Sequence, residues 1–478
     1  RSTAAEEGAQ RAAVLVRPFC FGKVVFMSKQ NIQLSDHFTV SRLLWFVLPS
    51  IGTMLFTSVY GIVDGLCVSN FVGKTGFAGV NLIWPVPMLL GTIGFMLGTG
   101  GSAIVGIALG ERDGERADAY FSLFLAAALL AGSTFAALGI AFLRPIGVLL
   151  GGRGEMLEYA LRYGRILLMG LPTFILQNMF QSFFVTAEKP NLGFWVTVGA
   201  GVTNMVLDVV LVGGLDWGVE GAAIATVLSQ IVGGVLPVFY FLSSRNTSCL
   251  HLRRPRFQGR VLWMACANGS SELMTNVSMS LVNILYNYQL LRFAGEDGVA
   301  AYGVIMYAAF LFVAVFVGYS VGSAPIVSFH YGAQNQGEVH NLYAMSLRLI
   351  GVAAVAMTVV SMYLIPQVAR FFVGYDPALL TLTTRAFRLY GLSFLIMGFN
   401  VYASSFFTAL GDGLTSALIS FLRTLLFQVL AVLLLPQLLG LDGVWLAVVP
   451  AELASLAVSV GMFLYKDRTF HYRGVQKG

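Results

Sequence analysis

Charge is what this 478-residue chain has least of. Only 11% of its residues are charged against 57% hydrophobic, where a soluble domain carries roughly 25% charged residues. So few charges cannot cover a water-facing surface, which makes lipid the solvent for most of the molecule. Cysteine is scarce too. The four residues, Cys20, Cys67, Cys249 and Cys266, lie far apart and form no CxxC. That excludes a disulfide framework and a thiolate metal site. The Walker A and HExxH motifs are absent, and no Ser, His and Asp set has supporting context, so nothing points to an enzyme or an organic cofactor. The net charge of +6 does not point to nucleic acid, because the basic residues gather in loops, as the positive-inside rule has them. The five histidines are scattered, and His330 and His340 flank a loop where solvent is expected.

What the chain has in quantity is apolar sequence, and it has it twice. Shifted by about 222 residues, Asp64 to Gly110 lands on Tyr286 to Gly332. Gly76 falls on Gly298, Ile104-Val105 on Ile326-Val327, and Gly110 on Gly332. Further on, Arg162 and Arg165 fall on Arg385 and Arg388, and Ser182-Phe183-Phe184 on Ser405-Phe406-Phe407. Two related halves in so apolar a chain imply a pathway between them. The 53 glycines suit close helix approach in a membrane.

A crossing needs about 20 mostly apolar residues, and such segments predict an all-α integral membrane protein with twelve crossings. They run over 41–68, 78–109, 118–150, 160–184, 192–213 and 219–243, then 262–292, 299–331, 340–372, 382–408, 414–437 and 442–465. This predicts two pseudo-symmetric six-helix lobes, 41–243 and 261–466, with a cytoplasmic linker at 244–260 and cytoplasmic ends at 1–40 and 467–478. Residues 1–26 lack the parts of a signal peptide; Met27 is the more natural start, and 1–26 are read as an upstream extension. The linker arginines, Lys189 and the terminal basic residues would share one side, so both termini are expected in the cytoplasm. An even number of crossings per half makes the repeats parallel.

Acids within crossings are costly, about 2.5–3.5 kcal/mol each on insertion scales, so each needs a reason. Asp64 lies late in the first segment. Asn204 and Asp208 lie four apart in the fifth and share a face; Ala222 and Thr226 repeat that spacing in the sixth. If these helices meet, carboxylates, an amide oxygen, a hydroxyl and a backbone carbonyl converge. Such hard oxygens suit a small cation, and two close carboxylates equally suit a shared proton. The structural alternative is acids satisfied by hydrogen bonds or seated at helix ends. At the shifted positions stand Tyr286 and Ala431, so the second half builds six helices without this cluster. Candidate cavity residues are Tyr60, Gln177, Asn178, Gln181 and Glu272, against interhelical hydrogen bonding, or for Glu272 a helix-start carboxylate. For Glu452 a structural partner is expected.

The chain resembles the multidrug and toxic compound extrusion family, in the bacterial branch that includes MepA and DinF. The likeness spans Val40 to Lys466. It is carried by Leu48-Pro49 with Tyr60-Gly61-Ile62-Val63-Asp64, by the glycine-rich second segment ending Gly110-Glu111, and by Asn204-x3-Asp208 followed by Ala222-x3-Thr226. The resemblance implies two lobes forming a V around a central cavity. It implies Na⁺ or H⁺ bound by Asp64, Asn204, Asp208, Thr226 and the Ala222 carbonyl. The expected activity is antiport export of organic, often cationic, compounds by a monomer in the bacterial inner membrane, without a cofactor. A flippase or exporter of an endogenous lipid-linked or metabolic substrate on the same fold is the alternative; a receptor or scaffold would leave the paired acids unexplained.

Overall fold

Backbone groups left unpaired in hydrocarbon cost several kcal/mol each, so long apolar runs close their hydrogen bonds internally as helices. The computed structural model describes residues 32–374 and 376–473 and contains no strand among them. The expected upstream extension, residues 1–26, lies outside the described residues.

The first half crosses as Val40–Phe71, Pro85–Gly110 with the preceding Gly73–Ile83, Gly114–Ala141, the pair Gly154–Met169 and Leu171–Thr186, Pro190–Leu207 running into Asp208–Gly214, and Gly218–Leu242. The second half continues with Ser270–Gly332, Gln336–Val373, the pair Pro377–Gly391 and Phe394–Ala409, Gly413–Phe421 running on to Leu439, and Leu441–Leu446 with Val448–Phe470. Nine of these stretches are long and apolar enough to cross a membrane, and two bent pairs also reach that length. Ser270–Gly332 has 63 residues, which at 1.5 Å each would be about 95 Å, far beyond one bilayer. It is two helices joined at Gly295, whose φ of 62° and ψ of −147° lie in a region essentially reserved for glycine. Divided there, the crossings among the described residues number twelve.

The repeat is visible in the backbone. Left-handed residues recur at matching places, Arg112 and Gln334, then Glu188 and Gly411. Asp113 and Asn335 cap the helices that follow the first two. The fifth and eleventh crossings each contain a π-helical stretch, Asp208–Gly214 and Leu422–Leu426.

Two expectations change. The fourth and tenth crossings are not single rods over 160–184 and 382–408; they bend by 57° and 47°. Pro172 sits at the start of Leu171–Thr186, where its missing N–H and its ring break the preceding helix. The tenth bends at the matching place without a proline. Nor does His330 meet solvent: it is 2% exposed, with its ring edge-on to Phe38 at 6.4 Å. His340 is half-buried, its Nδ1 2.9 Å from the Tyr472 carbonyl. Chain before the first helix and after the last folds back over this end.

The lobes meet closely at the end that carries the linker. A Cβ on Gly318 would fall 2.5 Å from the Ile51 Cα, and one on Gly332 2.2 Å from the Ile107 carbonyl oxygen, so only glycine lets these helices touch. A strap adds polar contacts there: the Leu34 N–H donates to Glu188 at 2.7 Å, and the Phe38 N–H to Glu338 at 2.9 Å. At the opposite end a Cβ on Gly61, Gly65 or Gly303 would meet nothing within 4 Å. The interhalf segment is docked rather than free. The His251 N–H and Arg253 Nε donate to Asp118 at 2.8 and 3.0 Å, and the Arg253 N–H donates to Ser122 at 2.8 Å.

Candidate functional site

The first-lobe cluster is assembled by small residues. At Gly201 a Cβ would lie 2.5 Å from the Phe56 ring and 3.1 Å from Tyr60, so the glycine draws the first helix onto the fifth. That apposition sets Asp64 beside Asp208 and Asn204. Asp208 opens the π-helical stretch, a local widening common at functional sites. Asp208 is 0% exposed and Asn204 2%. In the sixth helix Thr226 donates to the Ala222 carbonyl at 3.0 Å, the back-bond that threonine often makes in helices; its oxygen lone pairs stay available.

Tyr163 is the member that sequence spacing did not single out. It is buried, its hydroxyl reaches Thr226, and it lies close enough to feel both carboxylates. Nothing distinguishes it among 18 tyrosines until the bent fourth helix carries it inward.

Several buried atoms of the cluster have no hydrogen-bond partner among the described residues: Asp64 Oδ1, both Asp208 oxygens and Asn204 Nδ2. Oxygens of two carboxylates, a hydroxyl and a carbonyl form a hard donor set of the kind small cations take. The residues present therefore fit either a small cation or a proton. No group of three His, Cys, Asp or Glu residues with metal-binding geometry occurs among the described residues, which sets the cluster apart from a tight transition-metal site.

A cavity of about 310 Å³ lies mainly in the second lobe. Of the five candidate cavity residues, Glu272 lines it and the other four do not. Gln181 lines a small recess with Ser50 and Phe184. Gln177 packs on Gly233, Asn178 donates weakly to the Gly91 carbonyl at 3.5 Å, and Tyr60 packs beside Phe56. The cavity wall also holds a buried ion pair: Arg423 Nε donates to Glu452 at 2.9 and 3.1 Å. Asn400 donates to the same carboxylate at 2.7 Å, and Ser459 donates to Asn400 at 3.0 Å. Glu452 thus has the structural partner expected of it. Two opposite charges within one apolar lobe were the available signal that they would meet.

Twelve crossings among the described residues, in two matched lobes with a buried acidic cluster and a cavity, define a polytopic membrane transporter. The MatE family model matches the chain twice, over residues 49–210 and 273–433, and the chain belongs to that family. The double match agrees with the repeat. The chain is 21% identical over 427 residues to "Multidrug export protein MepA" of Staphylococcus aureus, covering 88% of this chain and 93% of that one. It is 23% identical over 429 residues to the protein of the same name from Staphylococcus saprophyticus, covering 87% and 92%. Among solved structures it resembles an outward-facing multidrug resistance MATE family transporter, with a TM-score of 0.85 at 24% identity over 93% of this chain and 98% of that one. It also resembles a MOP superfamily transporter from Pyrococcus furiosus described as having a binding pocket of reverse polarity, with a TM-score of 0.84 at 24% identity over 93% and 98%. The protein is thus a multi-pass membrane transporter of the multidrug efflux family, not an enzyme.

Proposed function

We propose that the protein is a cation-coupled antiporter that exports organic, often cationic, compounds by alternating access. One observation carries this reading: the buried Asp208 carboxylate and the half-buried Asp64 carboxylate lie side by side, with no basic partner among the described residues. Such a pair needs one positive charge, either a proton or Na⁺. Asp64, Asn204, Asp208, Thr226 and the Ala222 carbonyl would hold it. When bound, the cation neutralises the pair. These residues then draw the first helix tighter against the fifth and sixth, while their release frees it to shift. Because the first helix also forms the lobe seam at Ile51, that movement reaches the contact between lobes. Coupling follows when cation and cargo favour different arrangements of the lobes.

With the termini in the cytoplasm of a bacterial inner membrane, the close seam at their end makes the described arrangement outward-facing. A monomer contains every part required. The test is efflux of ethidium from proteoliposomes under a Na⁺ gradient and a pH gradient imposed separately. One gradient is expected to drive flux and so name the ion. Equal flux with and without both gradients would defeat the proposal.

A further inference from the structure

The second-lobe cavity has a charged wall that cation coupling leaves unused. Arg423 gives only its Nε to Glu452. Its two outer nitrogens have no partner among the described residues, and Arg423 is one of the residues that line the cavity. Glu452 is 2% exposed and is itself fixed by Asn400, so the guanidinium is held rigidly at its inner edge with its outer edge free. A guanidinium presents a planar fork whose parallel N–H groups match the two oxygens of a carboxylate. The neighbouring surface is aromatic. Tyr286 and Tyr302 stack at 5.1 Å, and Tyr390 and Phe310 line the same space. A fork of donors beside flat rings fits a flat acid.

A second ionisable group limits which acids fit. Glu272 lines the same cavity, and its carboxylate has no partner among the described residues. A Cβ on Gly413 would fall 2.3 Å from the Asn268 Cα, so those two residues share a level. Arg423 lies ten residues beyond Gly413, and Glu272 four beyond Asn268. At 1.5 Å per residue the Cα atoms of Arg423 and Glu272 stand about 9 Å apart in depth. A second acidic group reaching Glu272 would be repelled whenever that carboxyl is ionised.

We infer that this cavity is an anion-recognising site for aromatic monocarboxylates. Arg423 takes the carboxylate on its outer nitrogens, the tyrosines take the ring, and Glu452 acts as the positioning residue. The reading of the chain as an exporter is needed only for the bound acid to be cargo, since binding itself requires no gradient.

The test is equilibrium binding, by fluorescence anisotropy, of a coumarin carboxylate and its methyl ester to the full-length protein in lipid nanodiscs. The acid is expected to bind about ten-fold tighter or more, in line with hydrogen bonds to a charged partner. Arg423→Met should erase that preference while leaving the ester's affinity unchanged, and Arg423→Lys should retain part of it. Because Arg423→Met strands Glu452, the double variant Arg423→Met with Glu452→Leu serves as the folded control and should show the same loss. An ester that binds as tightly as the acid to the wild type overturns the inference. So does a preference for the acid that survives in the double variant. Loss of ion-driven ethidium flux with the acid preference intact would instead fault the coupling proposal alone.

Discussion

The two lobes share a backbone plan but balance charge differently. In the first, Asp64 and Asp208 sit together with no basic partner among the described residues. In the second, Tyr286 and Ala431 occupy the matching positions, and a buried carboxylate, Glu452, is held by Arg423 at 2.9 Å. The second lobe's cation is covalently part of the chain and cannot leave. On the proposed reading, the first lobe's cation comes from outside and can leave. On that reading one fold supplies a fixed polar anchor and an exchangeable one, and only the exchangeable one couples to a gradient.

The largest effect should come from removing the first lobe's requirement for a cation. Asp64→Asn and Asp208→Asn each leave one carboxylate where two stood, and gradient-driven efflux in proteoliposomes should drop to background. The matched change in the second lobe, Ala431→Val, should keep flux within about two-fold, the range of most substitutions away from special features. Equal losses at both positions would dissolve the contrast between lobes.

Next in size is the anchor. Glu452→Ala leaves a guanidinium buried without its partner, a change that typically costs about 3–5 kcal/mol. Arg423 is 14% exposed and Glu452 2%, so water screens the pair little. Thermal unfolding in detergent should show the loss, and replacing both residues with apolar ones should restore most of it. If Glu452→Ala melts like the wild type, the anchor is not structural.

A third contrast concerns the two ends of the lobes. Gly318→Val would press on the Ile51 backbone, and overpacking of that kind typically costs about 1–3 kcal/mol. That cost falls on the closed seam alone, so the population shifts away from it. A cysteine at Ser328, fully buried there, should then label faster with a polar maleimide in a background lacking the native cysteines. Gly303→Val at the open end should not change labelling. Unchanged labelling with Gly318→Val would mean that the seam does not hold the lobes.

The parts of this plan that the sequence displays are those with a period or a high cost. The 222-residue offset is held by glycines at close approaches, and Asp64 and Asp208 stand out because charge in lipid is expensive. The rest depends on where helices bend and cross. Tyr163 joins the acidic cluster only because the fourth crossing breaks near Pro172. Gln177, Asn178 and Gln181 share one helix, yet the cavity forms mostly across the other lobe, from residues whose individual polarity is ordinary. His330 looks like a loop residue in sequence and is covered by Phe38, some 300 positions away. Contacts at that separation leave no local pattern.

The smallest effect concerns a loop that the lobes share in backbone but not in chemistry. Glu188 and Gly411 both adopt positive φ, 58° and 80°. Glycine does so freely, whereas glutamate at that angle is strained, so Glu188 must contribute something else. It receives the Leu34 N–H at 2.7 Å and ties the strap to the first lobe. Burial pushes its carboxyl above the usual range, while the Leu34 N–H and Lys189 pull it partly back. A carboxyl whose pKa is raised by folding contributes stability below its unfolded value, about 4.3, and loses it as pH rises through the folded value. The wild type should therefore lose a little thermal stability between acid and neutral pH. Glu188→Gln keeps the acceptor for Leu34 but cannot ionise, so its melting curve should be flatter across that window and slightly higher at neutral pH. The matched site offers the control: Gly411→Ala should lower stability equally at every pH, because only backbone strain changes there. A pH slope that persists in Glu188→Gln would place the titrating group elsewhere.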